Sequence, residues 1–236
     1  MKRIFVILFC LTIPCNAVKA ETKFNDVDGH WAEEVIEKWQ DAGYINGYPD
    51  GSFKPDNSVT RAELSKILSS AFDLSESQQI SYEDVSNDEW YYSYLQTSDK
   101  YIPSYPLPVS YESNVPYRGN FNKSKFLPDV KTIRMHVAEA LVEIKMEKDH
   151  ISTEDLSMPE TVQEISYQLR VVYQDEEYHN LFAIPHTGIP GNVQRMNRYT
   201  WLAYKLNIME GHDGYFYPYG YMTRAELLTA IDRMIE

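Results

Sequence analysis

Apolar residues recur every three or four positions in several separate stretches of the chain, with polar residues between them. This spacing predicts amphipathic helices whose apolar faces meet in a shared core. The first two stretches contain Ala32, Val35, Ile36 and Trp39, and then Leu64, Ile67, Leu68 and Ala71. Further helices are predicted over 128–146, 192–206 and 222–235. The chain is therefore expected to be mainly α.

Two segments far apart in the chain carry the same turn and the same helix start. The shared positions are Gly47, Asp50, Gly51 and 60–64 in the first copy, and Gly211, Asp213, Gly214 and 223–227 in the second. A fainter middle copy keeps a proline, Pro128, six residues before Arg134. Three copies of one motif indicate repeated units, each too small to bury a core alone.

The copies divide the chain into three predicted units, each with a helix, a loop and a second helix. The unit boundaries are set at 21–81, 82–146 and 164–236, with a linker at 147–163. The second unit has lost the Asp-Gly turn and carries a Pro- and Tyr-rich insertion at 103–127. Neighbouring units are therefore expected to share one core, with the insertions as loops.

Local sequence signals set the expected starts of the helices. Thr60 and Glu63 have the spacing of a capping box, in which each side chain bonds the other residue's backbone. The second unit has no threonine at this position, so Thr132 is predicted to cap its helix instead. Asp26 and Asp84 are predicted to cap the first helix of their units, or the turn before it.

The first twenty residues have the pattern of a secretory signal peptide. Lys2 and Arg3 precede an apolar run at 4–13 that is too short to span a bilayer. Val18 and Ala20 fit the small-residue positions of a cleavage site before position 21. Both cysteines lie in this segment, so no disulfide or thiolate metal site is predicted beyond it. No later segment is apolar enough for a membrane span.

The charge balance narrows the range of partners. The net charge is −13, and it becomes −16 when Lys2, Arg3 and Lys19 leave with the signal peptide. An acidic protein of this kind is a poor candidate for binding nucleic acid or an anionic membrane. The six histidines lack the spacing of a zinc motif, and no nucleophile or phosphate-loop motif is present. We therefore predict no metal, no cofactor and no catalysis.

These motifs resemble the S-layer homology domain, whose pattern is carried almost completely by the first unit. The matching positions are Phe24, Asp26, Val27, Trp31, Ala32, Gly47, Asp50, Gly51, Phe53, Pro55 and 60–63. The resemblance implies three repeats in a pseudo-threefold bundle, a place on the bacterial cell surface, and non-covalent binding of cell-wall polysaccharide. The polymer of this family often carries a pyruvylated sugar, which is an anion.

The resemblance also implies which residues line the grooves. Arg61, Arg134 and Arg224 are the expected cations facing the ligand. The expected loop positions are Gly47, Asp50, Gly51, Gly211, Asp213 and Gly214, and Trp31 and Trp90 match the tryptophan of the first helix. An arginine fork can hold a carboxylate through two hydrogen bonds, and glycine lets backbone N–H groups come close to a ligand.

Alternatives stay open for these residues and for the whole chain. The arginines could instead pair with carboxylates and hold the units together, and helical spacing favours core positions for Trp31, Trp90 and Trp201. The chain could also be a surface module whose grooves have decayed and which binds another protein. A carbohydrate-active enzyme on the same scaffold is a weaker alternative.

Overall fold

The computed structural model of the protein is mainly helical, as the apolar periodicity predicts. It describes residues 23–75, 78–103, 125–152, 191–211, 216–218 and 220–235, with side chains in α5 from residue 198 onward. The predicted signal peptide lies outside the described residues, as do most of the Pro- and Tyr-rich insertion and most of the predicted linker. The helices are α1 (Glu33–Asp41), α2 (Arg61–Ala71), α3 (Tyr92–Ser98), α4 (Arg134–Lys148), α5 (Gly191–Lys205) and α6 (Arg224–Ile235).

The helices pack in pairs that cross the predicted unit boundaries. Helix α2 packs against α3, α4 packs against α5, and α1 packs against α6. In the α1–α6 pair, Trp39 Nε1 donates a hydrogen bond of 2.6 Å to the buried carboxylate of Asp232. The first helix of each predicted unit therefore rests on the second helix of another unit, and one continuous core results.

Short extended segments before α2, α4 and α6 meet at the centre of the molecule. Antiparallel bridges join Ser58 to Thr223, Thr60 to Lys131, and Ile133 to Tyr221. The residues between them close a ring of backbone hydrogen bonds, in which each N–H bonds a carbonyl of another segment. The three bonds are Val59 to Met222 at 2.9 Å, Met222 to Thr132 at 3.0 Å and Thr132 to Val59 at 2.8 Å.

Most helix starts and stops follow the local signals. Thr60 and Glu63 form the predicted capping box, and Thr223 and Glu226 form a second one. Helix α1 ends just before Gly43, whose positive φ of 75° suits the turn. These boundaries are fixed by contacts within a few residues, which explains why the sequence predicts them.

The predicted role of Thr132 is wrong. Helix α4 begins without a side-chain cap, and the Thr132 hydroxyl donates to the carbonyl oxygen of Val59 in another segment. The buried hydroxyl thus stabilises the central ring, whereas the backbone donors at the start of α4 bond Gly220 and Pro218 of the third segment.

The predicted capping role of Asp26 and Asp84 is also wrong. Asp26 accepts hydrogen bonds from the backbone N–H groups of Phe53 and Lys54, at 2.7 and 2.8 Å. Asp84 accepts the equivalent pair from Phe126 and Leu127. Each carboxylate therefore holds the loop that leads into the second helix of its unit, about 27 to 43 positions away.

Candidate functional site

The three arginines at the helix starts connect one segment to the next. Each guanidinium donates its Nε–H to the carbonyl of a phenylalanine in another predicted unit, and it also lies over that ring. The bonds are Arg61 to Phe126 at 2.6 Å, Arg134 to Phe216 at 2.9 Å and Arg224 to Phe53 at 2.8 Å. All three arginines are largely buried, so each helps to hold two segments together.

Two of the arginines also pair with the capping glutamate of the unit they reach. Arg134 Nη1 lies 2.8 Å from Glu226, and Arg224 Nη1 lies 3.3 Å from Glu63. The third position is different, because His136 stands where the pattern has glutamate, and Arg61 Nη1 donates to the carbonyl of Pro103. Burial and the nearby Arg61 lower the pKa of His136 to about 3, so this histidine is neutral near pH 7.

A groove of about 200 Å³ opens beside Arg224, at the meeting point of all three predicted units. The first unit contributes the loop with Gly47 and Tyr48 and one face of α2, the second contributes Trp90, and the third contributes Arg224. The groove therefore exists only when the three segments are assembled.

Position 47 requires glycine because the groove leaves no room there for a side chain. A Cβ atom placed on it would lie 2.5 Å from the carbonyl oxygen of Ser52 and 2.5 Å from a ring atom of Phe24. Because the first of these atoms is backbone, the loop itself would have to move. The neighbouring turn is held by Asp50, which accepts bonds from the backbone and the hydroxyl of Ser52, and by Gly51 with a φ of 82°.

Replacing Gly47 by alanine is expected to lower the free energy of unfolding by about 1–3 kcal/mol, the usual cost of overpacking. Urea denaturation followed by tryptophan fluorescence measures this change. Asn46→Ala is the matched control, because its side chain is exposed and a change there is expected to stay within about 0.5 kcal/mol. Equal stability of the two variants would contradict the steric argument.

The groove carries two cations and one carboxylate, in a protein that is acidic overall. Glu63 binds Arg224 and also accepts a bond of 2.7 Å from the hydroxyl of Tyr48. Burial, together with this bond, raises the pKa of Tyr48. Lys66 has no carboxylate partner within the described residues; its ammonium lies 5.9 Å from the ring of Tyr94. The groove is thus a local site of positive charge.

Two aromatic residues of the groove are open to solvent. Trp90 is 55% exposed and Tyr44 is 55% exposed. Trp31 is 63% exposed as well, so the expectation that helical spacing places Trp31 and Trp90 in the core is wrong. Both residues come before the first turn of their helices, where the spacing rule does not apply. Trp201 is buried within α5, and its prediction as a core residue is confirmed.

The structure brings together some of the predicted site residues and separates others. Arg224, Gly47 and Trp90 line one groove, whereas Asp50 and Gly51 form the turn behind it. Trp31, Arg61 and Arg134 lie away from this groove, and Gly211 is exposed in the loop after Glu210. Asp213 and Gly214 lie outside the described residues.

Lys66, Tyr44 and Tyr48 line the groove but were not among the predicted ligand residues. Tyr48 lies between Gly47 and the Asp-Gly turn, so its position in the motif was an available signal. Lys66 follows Arg61 by five residues in the same helix, which turns it toward the loop of its own unit. A comparison of that position across the three units would have singled it out.

The described part of the chain contains no cluster of histidine, cysteine and carboxylate side chains suited to a metal ion. Within those same residues, no helix combines the length and the apolar character that crossing a membrane requires.

Comparison with known proteins identifies a part of the chain that contains about half of the residues lining this groove. Residues 23–65 match the family "S-layer homology domain". The chain therefore carries an S-layer homology domain in its first predicted unit, as the motifs indicate. Arg224, Lys66 and Trp90, which complete the groove, lie beyond the matched residues.

Several similar proteins carry the names of surface or anchoring proteins, and others are named as enzymes, such as "Endo-1,4-beta-xylanase A" of Thermoanaerobacterium saccharolyticum. Residues of this chain are 51% identical over 51 positions to "Cell surface glycoprotein 1" of Acetivibrio thermocellus, covering 22% of this chain and 2% of that protein. The identity is 34% over 74 residues with "Cellulosome-anchoring protein" of the same organism, covering 30% and 17%. It is 33% over 138 residues with "S-layer protein EA1" of Bacillus anthracis, covering 57% and 14%. The chain thus spans only a small part of these relatives.

Proposed function

We propose that this protein is a non-catalytic cell-surface protein that binds an anionic cell-wall polysaccharide through the groove beside Arg224 and so attaches itself to the wall. The observation that carries the proposal is the combination of Arg224, Lys66 and the open Trp90 ring in one groove. The matched domain and the names of the surface and anchoring relatives support the same role.

The chemistry of the groove suits a sugar that bears an acid group. Trp90 offers a large flat apolar face, which can cover the apolar face of a sugar ring while it excludes water. Lys66 is a cation without a carboxylate partner among the described residues. Arg224 donates through Nε and Nη1 within the protein, which leaves Nη2 free of any bond to a described residue. These donors can hold an anion beside the stacked ring.

The proposal extends to the arrangement of the units. We infer that all three are S-layer homology repeats, because each has an arginine at its second helix that bonds a phenylalanine carbonyl of another unit. In each of these loops the residue after the phenylalanine has positive φ, at 57° for Lys54, 60° for Leu127 and 53° for Tyr217. The same strained turn in three places supports one repeated design.

A pelleting experiment with bacterial cell-wall sacculi tests the function. The protein lacking residues 1–20 is mixed with sacculi that retain their secondary polymer and with sacculi that have been stripped of it. Co-sedimentation only with the unstripped wall is expected. A folded protein that stays in the supernatant with both preparations would contradict the proposal and turn attention to protein partners.

The variant that locates the site is Trp90→Ala, because Trp90 is exposed and its loss should leave the fold intact. We expect its affinity for sacculi to fall by about tenfold or more, which corresponds to the 1–3 kcal/mol typical of aromatic stacking. Tyr204→Ala is the matched control, since Tyr204 is 49% exposed on α5 and does not line the groove. Equal binding by both variants would place the site elsewhere.

A further inference from the structure

The three arginines occupy equivalent places, but their surroundings carry different charge. The residue five positions after each arginine is Lys66 in α2, Glu139 in α4 and Thr229 in α6. Lys66 is half-buried and lines the groove, whereas Glu139 is only 3% exposed. Thr229 is half-buried and its hydroxyl donates to the carbonyl of Ala225. One of the three positions therefore has a cation.

Each arginine bonds the loop of one other unit, and this pairing decides which of the three residues shares a unit with that loop. Arg224 reaches across to the unit that carries Lys66, and it pairs there with Glu63. By the same order, Arg134 reaches the unit with Thr229, and Arg61 reaches the unit with Glu139. At these three matched positions, a second positive charge thus accompanies Arg224 and neither of the other two arginines, while an acid stands at the position of the unit that Arg61 reaches.

Lys66 also differs from the arginines in the partners that its charged group has within the protein. Each arginine donates its Nε–H to a phenylalanine carbonyl. Arg224 also bonds the carboxylate of Glu63, which accepts a second hydrogen bond from Tyr48. Within the described residues, the Lys66 ammonium lies over the ring of Tyr94, 5.9 Å from its centre. An anion that enters this groove therefore neutralises Lys66 without breaking an ion pair of the protein, which keeps the cost of binding low.

We propose that Lys66 is the specificity-determining residue of the groove beside Arg224, where it selects an acidic group of the wall polymer. This inference rests on the proposed function, since it names the residue of that groove that recognises the acid. The acidic group is a carboxylate or a phosphate, because an ammonium binds either one as a point charge.

The test measures the affinity of the protein lacking residues 1–20 for unstripped sacculi, by depletion from the supernatant at several salt concentrations. Lys66→Met keeps the length of the side chain and removes its charge. We expect the dissociation constant to rise by about 5- to 10-fold at low salt. The dependence of the affinity on salt should also become weaker, because one fewer ionic contact is made. Lys66→Arg should restore most of the affinity.

Lys131→Met is the matched control, because Lys131 is an exposed lysine outside the groove whose ammonium lies near the ring of Tyr221. Its affinity should stay within about twofold of the unsubstituted protein. Lys66→Met binding that equals this control overturns the inference. So does a loss that persists undiminished in 1 M salt, since that would show a packing effect and not one of charge.

A chemical arm identifies the anion. Carbodiimide amidation of the sacculi caps carboxylates and leaves phosphates charged. A loss of binding that matches the Lys66→Met loss assigns the contact to a carboxylate, and unchanged binding assigns it to a phosphate; either result supports Lys66 as the selecting cation. If the unsubstituted protein fails to bind untreated sacculi, the proposed function fails first, and this outcome is distinct from equal binding by the two lysine variants.

Discussion

Replacing Arg224 by methionine is expected to lower the free energy of unfolding by about 3–5 kcal/mol, the usual result of removing one partner from a buried ion pair. The change removes the donor to the Phe53 carbonyl and leaves Glu63 without its cation. Urea denaturation followed by circular dichroism measures the loss. A protein at the lower end of the usual range of stability, about 5 kcal/mol, would be partly unfolded at room temperature after such a change.

Arg233→Met is the control for this prediction, because it lies on the same helix and also contacts a carboxylate. Its partner Glu210 is 55% exposed, so the pair is expected to contribute less than about 1 kcal/mol. Similar losses for Arg224 and Arg233 would show that the cross-unit contacts of Arg224 contribute little to stability.

Acid is expected to destabilise the protein through His136 between pH 6.5 and about pH 3. The pKa of this histidine is lowered from 6.5 in the unfolded chain to about 3 in the folded state, by burial first and by Arg61 second. Between pH 6.5 and about pH 3, His136 therefore binds a proton in the unfolded chain but stays neutral in the folded protein. The resulting contribution to the free energy of unfolding falls by up to about 1.4 kcal/mol per pH unit as the pH decreases.

The comparison that isolates this effect is between the unsubstituted protein and His136→Gln, which has a similar polar side chain that does not titrate. Urea denaturation across the pH range gives the free energy of unfolding of each. The difference between the two proteins should change steeply between pH 6 and pH 3 and stay constant above pH 7. If the free energies of unfolding of the two proteins changed in parallel over the whole pH range, the pKa of His136 would be the same in the folded and unfolded states.

The positions of the arginines change how their function should be tested. All three are used in contacts between segments, so an alanine variant of Arg61 or Arg224 would lose structure along with any ligand contact. Loss of wall binding in such a variant would not locate a site. Trp90 and Lys66 are better probes, because one is exposed and the other has no ion pair among the described residues.

Local features of the fold could be predicted from the sequence because their causes lie close together in the chain. The capping box of Thr60 and Glu63 spans three residues, and the turn at Gly51 is set by its own backbone. The sequence predicts that Asp26 caps a nearby helix, which is wrong because its partners, Phe53 and Lys54, lie 27 and 28 positions away. Residue type alone shows that an aspartate accepts hydrogen bonds, but not from which segment.

The candidate site was predicted only in part for a similar reason. The motif predicts that Gly47 and Arg224 lie beside a groove, although they are far apart in the chain, because both belong to the repeat. Both line the groove described here, and their contact with a ligand stays a prediction. Periodicity misplaced Trp90, which precedes its helix and faces solvent. Lys66 was overlooked because it follows the regular pattern of a helix, and its difference from Glu139 and Thr229 matters only once the three units are assembled.

The ring of backbone bonds among Val59, Thr132 and Met222 also bears on how the protein unfolds. In an open row of repeats the terminal unit has one neighbour and can fray by itself while the rest stays folded. Here each segment has two neighbours, and Arg224 joins parts of the chain 171 positions apart. None of the three segments is therefore terminal. Loosening one of them exposes the contact surfaces of the other two, so the described part of the protein is expected to unfold in a single cooperative transition.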